Sequence, residues 1–150
     1  MPAESSAIGP VVVGIDGSEA SLAALRHGIR EAGWRGAEIH VVHVLDVTPA
    51  VLHLQGDMTI TTRELAESDR AEIWKRVGPI LDDADTEVVR VELDGTPGET
   101  LIAYADEAGA SVLVVGPRGR GMVEKLLLGS TAEQAVKTAT CDVLVVKSGV

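Results

Sequence analysis

Short apolar runs alternate along this chain with longer segments whose apolar residues recur every three or four positions. The first run, VVVGID (residues 11–16), is β-branched and closes on a turn signal, which predicts a buried strand. Ser18 then stands as a helix cap, Leu22, Leu25, Ile29 and Ala32 share one helical face, and Gly33 is the expected stop. AEIHVVHV (37–44) predicts a second strand, and a long connection with Pro49 and Gly56 follows it. Helical spacing resumes over 62–83, with Ala66, Ile73, Val77 and Leu81 on one side. Gly78 and Pro79 inside that stretch are expected to kink or shorten the helix.

TEVVRVEL (86–93) predicts a third strand. Thr96, Pro97 and Glu99 suit N-cap, N1 and N3 of a third helix, whose inner face is Leu101, Ala105 and Ala108 and whose end is Gly109. SVLVVG (111–116) is the most apolar run and predicts a fourth strand. A last helix is expected over 130–138, with Ser130 and Glu133 in a capping-box arrangement, and a last strand over DVLVVK (142–147). Strands that alternate with helices predict an α/β fold: one doubly wound, open, parallel five-stranded sheet with helices on both faces. Residues 10–150 read as one domain and 1–9 as a flexible tail.

Composition supports this reading. The aromatics are Trp34, Trp74 and Tyr104, with no Phe, so the core must be built from Val, Leu, Ile and Ala. A formal net charge of −10 opposes the approach of duplex nucleic acid. It leaves room for a small anion in a locally positive pocket, since charge is screened over about 8 Å at physiological salt. Cys141 is alone, so no intramolecular disulfide is expected. The first residues carry no basic segment and only a short apolar run broken by Gly14, so neither a signal peptide nor a membrane span is expected, and the expected location is the cytoplasm.

The candidate chemistry lies in VVGPRGRGMVEKLLLGST (114–131), where glycines and basic residues separate a strand from a helix. No Gly-Lys pair exists for a Walker A loop, and Glu124 stands where a dinucleotide fingerprint starting at Gly119 needs glycine. The spacing is instead Gly116-x-x-Gly119, nine residues, then Gly129-Ser130. Glycines there permit close backbone approach and positive φ. The free amides of a helix start, with the Ser130 and Thr131 hydroxyls, suit phosphate oxygens. Arg118, Arg120 and Lys125 supply local positive charge. Each residue alone has a plainer reading: Ser130 with Glu133 as a helix cap, Asp16 as a turn former, Lys125 as a solvated surface charge. In this topology the loops after the first and fourth strands, GIDGSEAS and GPRGRGMVEKLLLGST, should meet at a switch point.

GPRGRGMVEKLLLGSTAEQAVKTATCDVLVVK resembles the signature of the universal stress protein family, in its ATP-binding branch. VVVGIDGSEAS, VHVLDV and GTPGETLIAYADEAGASVLVVG resemble the family's other segments in order, over residues 10–147. Pro117, where the family often has Ser, and Asp142, where it often has Pro, depart from it without touching the spaced glycines. The resemblance implies a Rossmann-like domain that binds ATP with Mg²⁺. It implies nucleotide contacts from Asp16 and backbone near Val42, beside Gly116, Arg118, Gly119, Gly129, Ser130 and Thr131. It also implies a homodimer paired through the last strand. The function expected is a nucleotide-dependent regulator of the stress response. The alternatives are a slow ATPase or self-phosphorylating protein, an AMP or cyclic-nucleotide binder, and a fold acting through protein contacts alone. The residues offer no nucleophile–base–orienter set, which argues against fast catalysis. His40 and His43 are expected to face opposite sides of their strand, so the histidines make no metal site.

Overall fold

The computed structural model describes residues 8–46, 51–53, 59–119 and 128–147, with 51–53, 59–63 and 66 as backbone only. The elements, in order, are β1 (Val11–Ile15), α1 (Glu19–Arg35), β2 (Ile39–Leu45), β3 (Val51–His53), β4 (Thr59–Thr61), α2 (Thr62–Asp82), β5 (Val88–Asp94), α3 (Pro97–Glu107), β6 (Val112–Val115), α4 (Ser130–Thr138) and β7 (Asp142–Val145). Five strands form one parallel sheet in the order β5-β2-β1-β6-β7. This is the expected α/β architecture. The order reverses between β1 and β6, which are hydrogen-bonded neighbours with Val13 opposite Val114.

The alternation of side chains along each strand separates two cores. Val11, Val13, Ile39, Val41, Val112 and Val114 face Leu22 and Leu25 of α1 and Ile73 and Val77 of α2. Val12, Val42, Leu113 and Val115 face Leu101 and Ala105 of α3 and Ala132 and Ala135 of α4. The sheet is therefore covered on both sides.

Local signals and structure part company in five places. Helix α1 does not stop at Gly33 but runs to Arg35. Gly36 takes the left-handed conformation (φ 65°), and the amides of Gly36 and Ala37 bond back to the carbonyls of Gly33 and Ala32. The stop needs a positive φ, and Gly36 supplies it, whereas Gly33 stays helical. Helix α2 passes through Gly78 and Pro79, because Val77 and Leu81 on either side are buried against the sheet. That packing outweighs a local cost of about 3 kcal/mol. The connection after β2 contains an antiparallel pair, β3 with β4, of three residues each, too short to leave a periodic signal. Thr96 is the N-cap of α3 with Pro97 at N1, but its side chain makes no cap bond. Ser130 is the first residue of α4 and Gly129 is its N-cap, so the expected Ser130–Glu133 capping box does not form. Of the expected tail, residues 1–7 lie outside the described residues. Gly9 lies against the Gly109 carbonyl, and the Pro10 carbonyl accepts from the Ser111 amide at 2.9 Å.

The two glycines at the end of α1 should respond oppositely to alanine. No atom lies within 4 Å of a Cβ added at either position, so backbone conformation decides the sign. Gly33→Ala should stabilise by about 0.5–1 kcal/mol. Gly36→Ala should destabilise by about 1–2 kcal/mol. Shifts of the urea midpoint in opposite directions are the measurement.

Candidate functional site

A cleft of about 580 Å³ opens at the carboxyl edge of the sheet, over the reversal between β1 and β6. Asp16, Val42, Gly116, Arg118, Gly119, Gly129, Ser130 and Thr131, dispersed over more than 100 positions of sequence, all line it. Its floor is apolar: Val42 and Val44 of β2, Val115 of β6 and Leu101 of α3. Leu101 reaches that floor because β1 carries Gly14 there. A Cβ at Gly14 would stand 2.5 Å from Leu101 Cδ2.

Asp16 ends β1 at a tight turn. Its Oδ1 accepts from the Ser18 amide at 2.9 Å, and its own amide donates to the Ser21 hydroxyl at 3.2 Å. Gly17 supplies the positive φ of 86°. Ser18 caps α1, its hydroxyl accepting from the Ser21 amide at 3.1 Å. Asp16 is thus a turn former and a cleft residue at once; both roles are satisfied by one carboxylate with two oxygens.

The glycine loop is anchored at both ends. The Val146 amide donates to the Val115 carbonyl at 2.8 Å, and the Gly129 amide to the Pro117 carbonyl at 2.6 Å. None of Gly116, Gly119 and Gly129 has a positive φ, which corrects one of the two reasons for glycine there. Close approach is the reason that remains. A Cβ at Gly116 would lie 3.0 Å from the Ala20 Cβ and 3.1 Å from its backbone, so this glycine lets β6 meet α1. A Cβ at Gly119 would lie 2.7 Å from Asp16 Oδ2, so the two cleft loops touch there. Gly129 is extended (φ −72°, ψ 168°) and brings no side chain to cap α4. The first helical bond is Glu133 amide to Gly129 carbonyl, 2.9 Å, so the amides of Ser130, Thr131 and Ala132 precede the helix ladder. Arg118 borders the same space, whereas Arg120 and Lys125 lie outside the described residues. Glu133 is exposed and pairs with Lys137 at 3.4 Å.

The sequence reading missed several cleft residues: Asp46, Thr96, Gly98 and Gln134. Asp46 follows β2 immediately, so the strand-exit rule applied to β2 as well as to β1 and β6 would have found it. Gly98 and Gln134 carry no motif. They meet because Gly98 leaves room for Gln134 Oε1 and brings the start of α3 near Thr131.

Among the described residues, no buried side-chain polar atom lacks a hydrogen-bond partner. His43 and His40 do face opposite sides of β2. His43 Nδ1 lies 3.0 Å from Glu92 Oε1, which also accepts from the Trp74 indole at 2.8 Å. Arg90 stacks over that indole, 5.9 Å from the ring centre. His40 lies 2.7 Å from the Tyr104 hydroxyl and 2.6 Å from Glu38. Burial and the Glu38 charge push the Tyr104 hydroxyl's pKa up. Cys141 is half-buried against the α3–α4 side of the sheet. Burial, then the Asp106 charge, pushes its thiol's pKa up, which disfavours the reactive thiolate. Among the described residues no group of three or more His, Cys, Asp or Glu could hold a metal, and no helix is long and apolar enough to cross a membrane.

The same chain can be set beside known proteins. The profile of the universal stress protein family matches residues 8–147. A universal stress protein of Methanocaldococcus jannaschii is 34% identical over 138 residues, covering 91% of this chain and 81% of its own. A universal stress protein solved in complex with cAMP superposes with a TM-score of 0.71 at 24% identity, covering 96% of this chain and 100% of its own. One from Archaeoglobus fulgidus in complex with dAMP gives a TM-score of 0.67 at 23% identity, covering 93% and 98%. From the parallel sheet to the strand-exit cleft, and over nearly its whole length, the chain belongs to the universal stress protein family.

Proposed function

We infer that this protein binds an adenine nucleotide in the cleft and works as a nucleotide-dependent regulator of the stress response. One observation carries the reading. The eight residues expected to meet a nucleotide border a single cavity of about 580 Å³, floored by aliphatic side chains and rimmed by helix-start amides. Small-molecule sites span about 300–1,000 Å³ and combine an apolar lining with a few directing polar groups. The adenine lies on Val42 and Val44, with the Val42 backbone at its edge, and the ribose meets Asp16. The phosphates meet Gly119, Arg118 and the amides and hydroxyls of Ser130 and Thr131. Gly116 and Gly129 shape this end by close approach and by leaving α4 uncapped. The cAMP and dAMP complexes of the two fold neighbours support an adenosine pocket. They also keep a monophosphate in view as the second reading. Arg118 and the α4 amides together favour the triphosphate.

Mg²⁺ fits as a companion of the phosphates and not as a resident ion. Asp16 and Asp46 offer hard oxygens at the rim, and no described cluster of three ligands forms a cage. Bound there, it would neutralise phosphate charge, while Asp16, Arg118 and the α4 amides orient the ligand. The reading extends to a cytoplasmic homodimer. β7 is an edge strand of three partly exposed aliphatic residues after Asp142, and Val136 of the neighbouring α4 is 57% exposed. Pairing two such edges would satisfy their outward amides and cover this apolar surface.

Three measurements test this. Native mass spectrometry of protein purified from cells should show an added mass matching ATP. Gly119→Val should remove it, because the new side chain must displace either Asp16 or the loop, and titrated ATP should bind at least about tenfold more weakly. Unchanged occupancy in that variant, with the fold intact, would dissociate the loop from the ligand. For the assembly, sedimentation should give a dimer that Val143→Pro converts to monomer. Val146 directs its amide at β6, so alternation turns the Val143 amide outward, and proline there deletes an edge donor.

A further inference from the structure

The cleft loops do not hold the β1–α1 turn alone. Arg76, on α2, reaches it from across the α1–α2 side of the sheet. Its Nη1 donates to the Gly17 carbonyl at 2.7 Å and its Nη2 meets Glu19 Oε2 at 3.0 Å. Gly17 is buried and holds the positive φ that lets Asp16 turn back to accept from the Ser18 amide. Glu19 is 81% exposed, so its ion pair is a weak restraint. The guanidinium bond to the Gly17 carbonyl is the stronger one, since it is charge-assisted and part-buried. It acts one residue from the carboxylate that faces the cleft.

We propose that Arg76 is a positioning residue: it sets the orientation of Asp16 through the Gly17 carbonyl and thereby couples α2 to occupancy of the cleft. This rests on the nucleotide reading above and adds to it a contact from outside the cleft. Arg76 does not line the cavity and needs no contact with ligand. Its direct bonds are confined to the Asp16 side, which meets the phosphate side at Gly119. The phosphate side is built from α4 and the loop after β6, and among the described residues the bonds of Arg76 go to Gly17 and Glu19 instead. Coupling is reciprocal, so a ligand that requires the set turn also strengthens the hold of Arg76 on it.

Calorimetry with two probes separates the sides: adenosine for the Asp16 side, inorganic tripolyphosphate for the α4 side. Arg76→Met keeps the aliphatic stem and removes both donors. It should weaken adenosine by about tenfold and leave tripolyphosphate within about twofold of wild type. Arg76→Lys, which keeps one donor and the charge, should fall between wild type and Arg76→Met. Glu19→Gln should bind both probes as wild type does. In the free protein, the Ser18 amide should exchange with solvent faster in Arg76→Met, since its acceptor on Asp16 is no longer held. If Arg76→Met proves unfolded, Arg76→Lys carries the test by the same selective loss. Equal loss of both probes would mean that Arg76 serves only general stability, and unchanged adenosine binding would mean that it does not position Asp16; either overturns the proposal and leaves the nucleotide reading standing. Wild-type protein that binds neither adenosine nor ATP would overturn both.

Discussion

The structure depends on β1 being closed in from every side. Val11, Val12 and Val13 are fully buried, hydrogen-bonded laterally to β2 and β6 and covered above and below by helices. Burying an aliphatic side chain of this size contributes roughly 1.5–3 kcal/mol, so a polar residue in that run would be costly. Chemistry is thereby pushed to where the strand runs out. Asp16 is the first residue past β1, and Gly116 is the first past β6. The cleft exists because two neighbouring strands stop together and their connections leave toward opposite faces.

That geometry also explains how a chain of net charge −10 can present a site suited to anions. In a parallel sheet with helical crossovers, each strand's carboxyl end feeds a helix start. Helices α1, α3 and α4 therefore all begin near the same edge, with Ser21, Gly98 and Ser130 among the residues around the cleft. Backbone dipoles supply positive potential there independently of the formal charge count. Ser18 caps the first of these starts with its side chain, whereas Thr96 and Gly129 make no side-chain cap for the other two.

Much of this is legible in the residues. The apolar runs locate all five main strands to within two or three positions, because buried parallel strands are continuous in Val and Ile. The eight cleft residues follow from strand exits and glycine spacing, together with the family resemblance. What escapes is what tertiary packing decides. Pro79 is overruled by Val77 and Leu81. The β3–β4 pair is too brief to show a period. Gly98 and Gln134 come together only when α3 lies against α4. The glycine loop is instructive in a different way: its glycines are readable as a pattern, but the pattern does not say that Gly116 serves Ala20 and Gly119 serves Asp16. Only distances assign those partners.

The pairing of Trp74 with Glu92 gives the molecule a built-in optical asymmetry. Of its two indoles, Trp34 is 71% exposed, edge-on to His27, and so already samples water in the native state. Trp74 is partly buried, bonded to Glu92 and overlaid by Arg90. A change in intrinsic emission on denaturation is therefore chiefly a record of α2 parting from β5. Neither indole borders the cleft, and the opposite side of the sheet, with Tyr104 as its aromatic, is nearly silent in that signal.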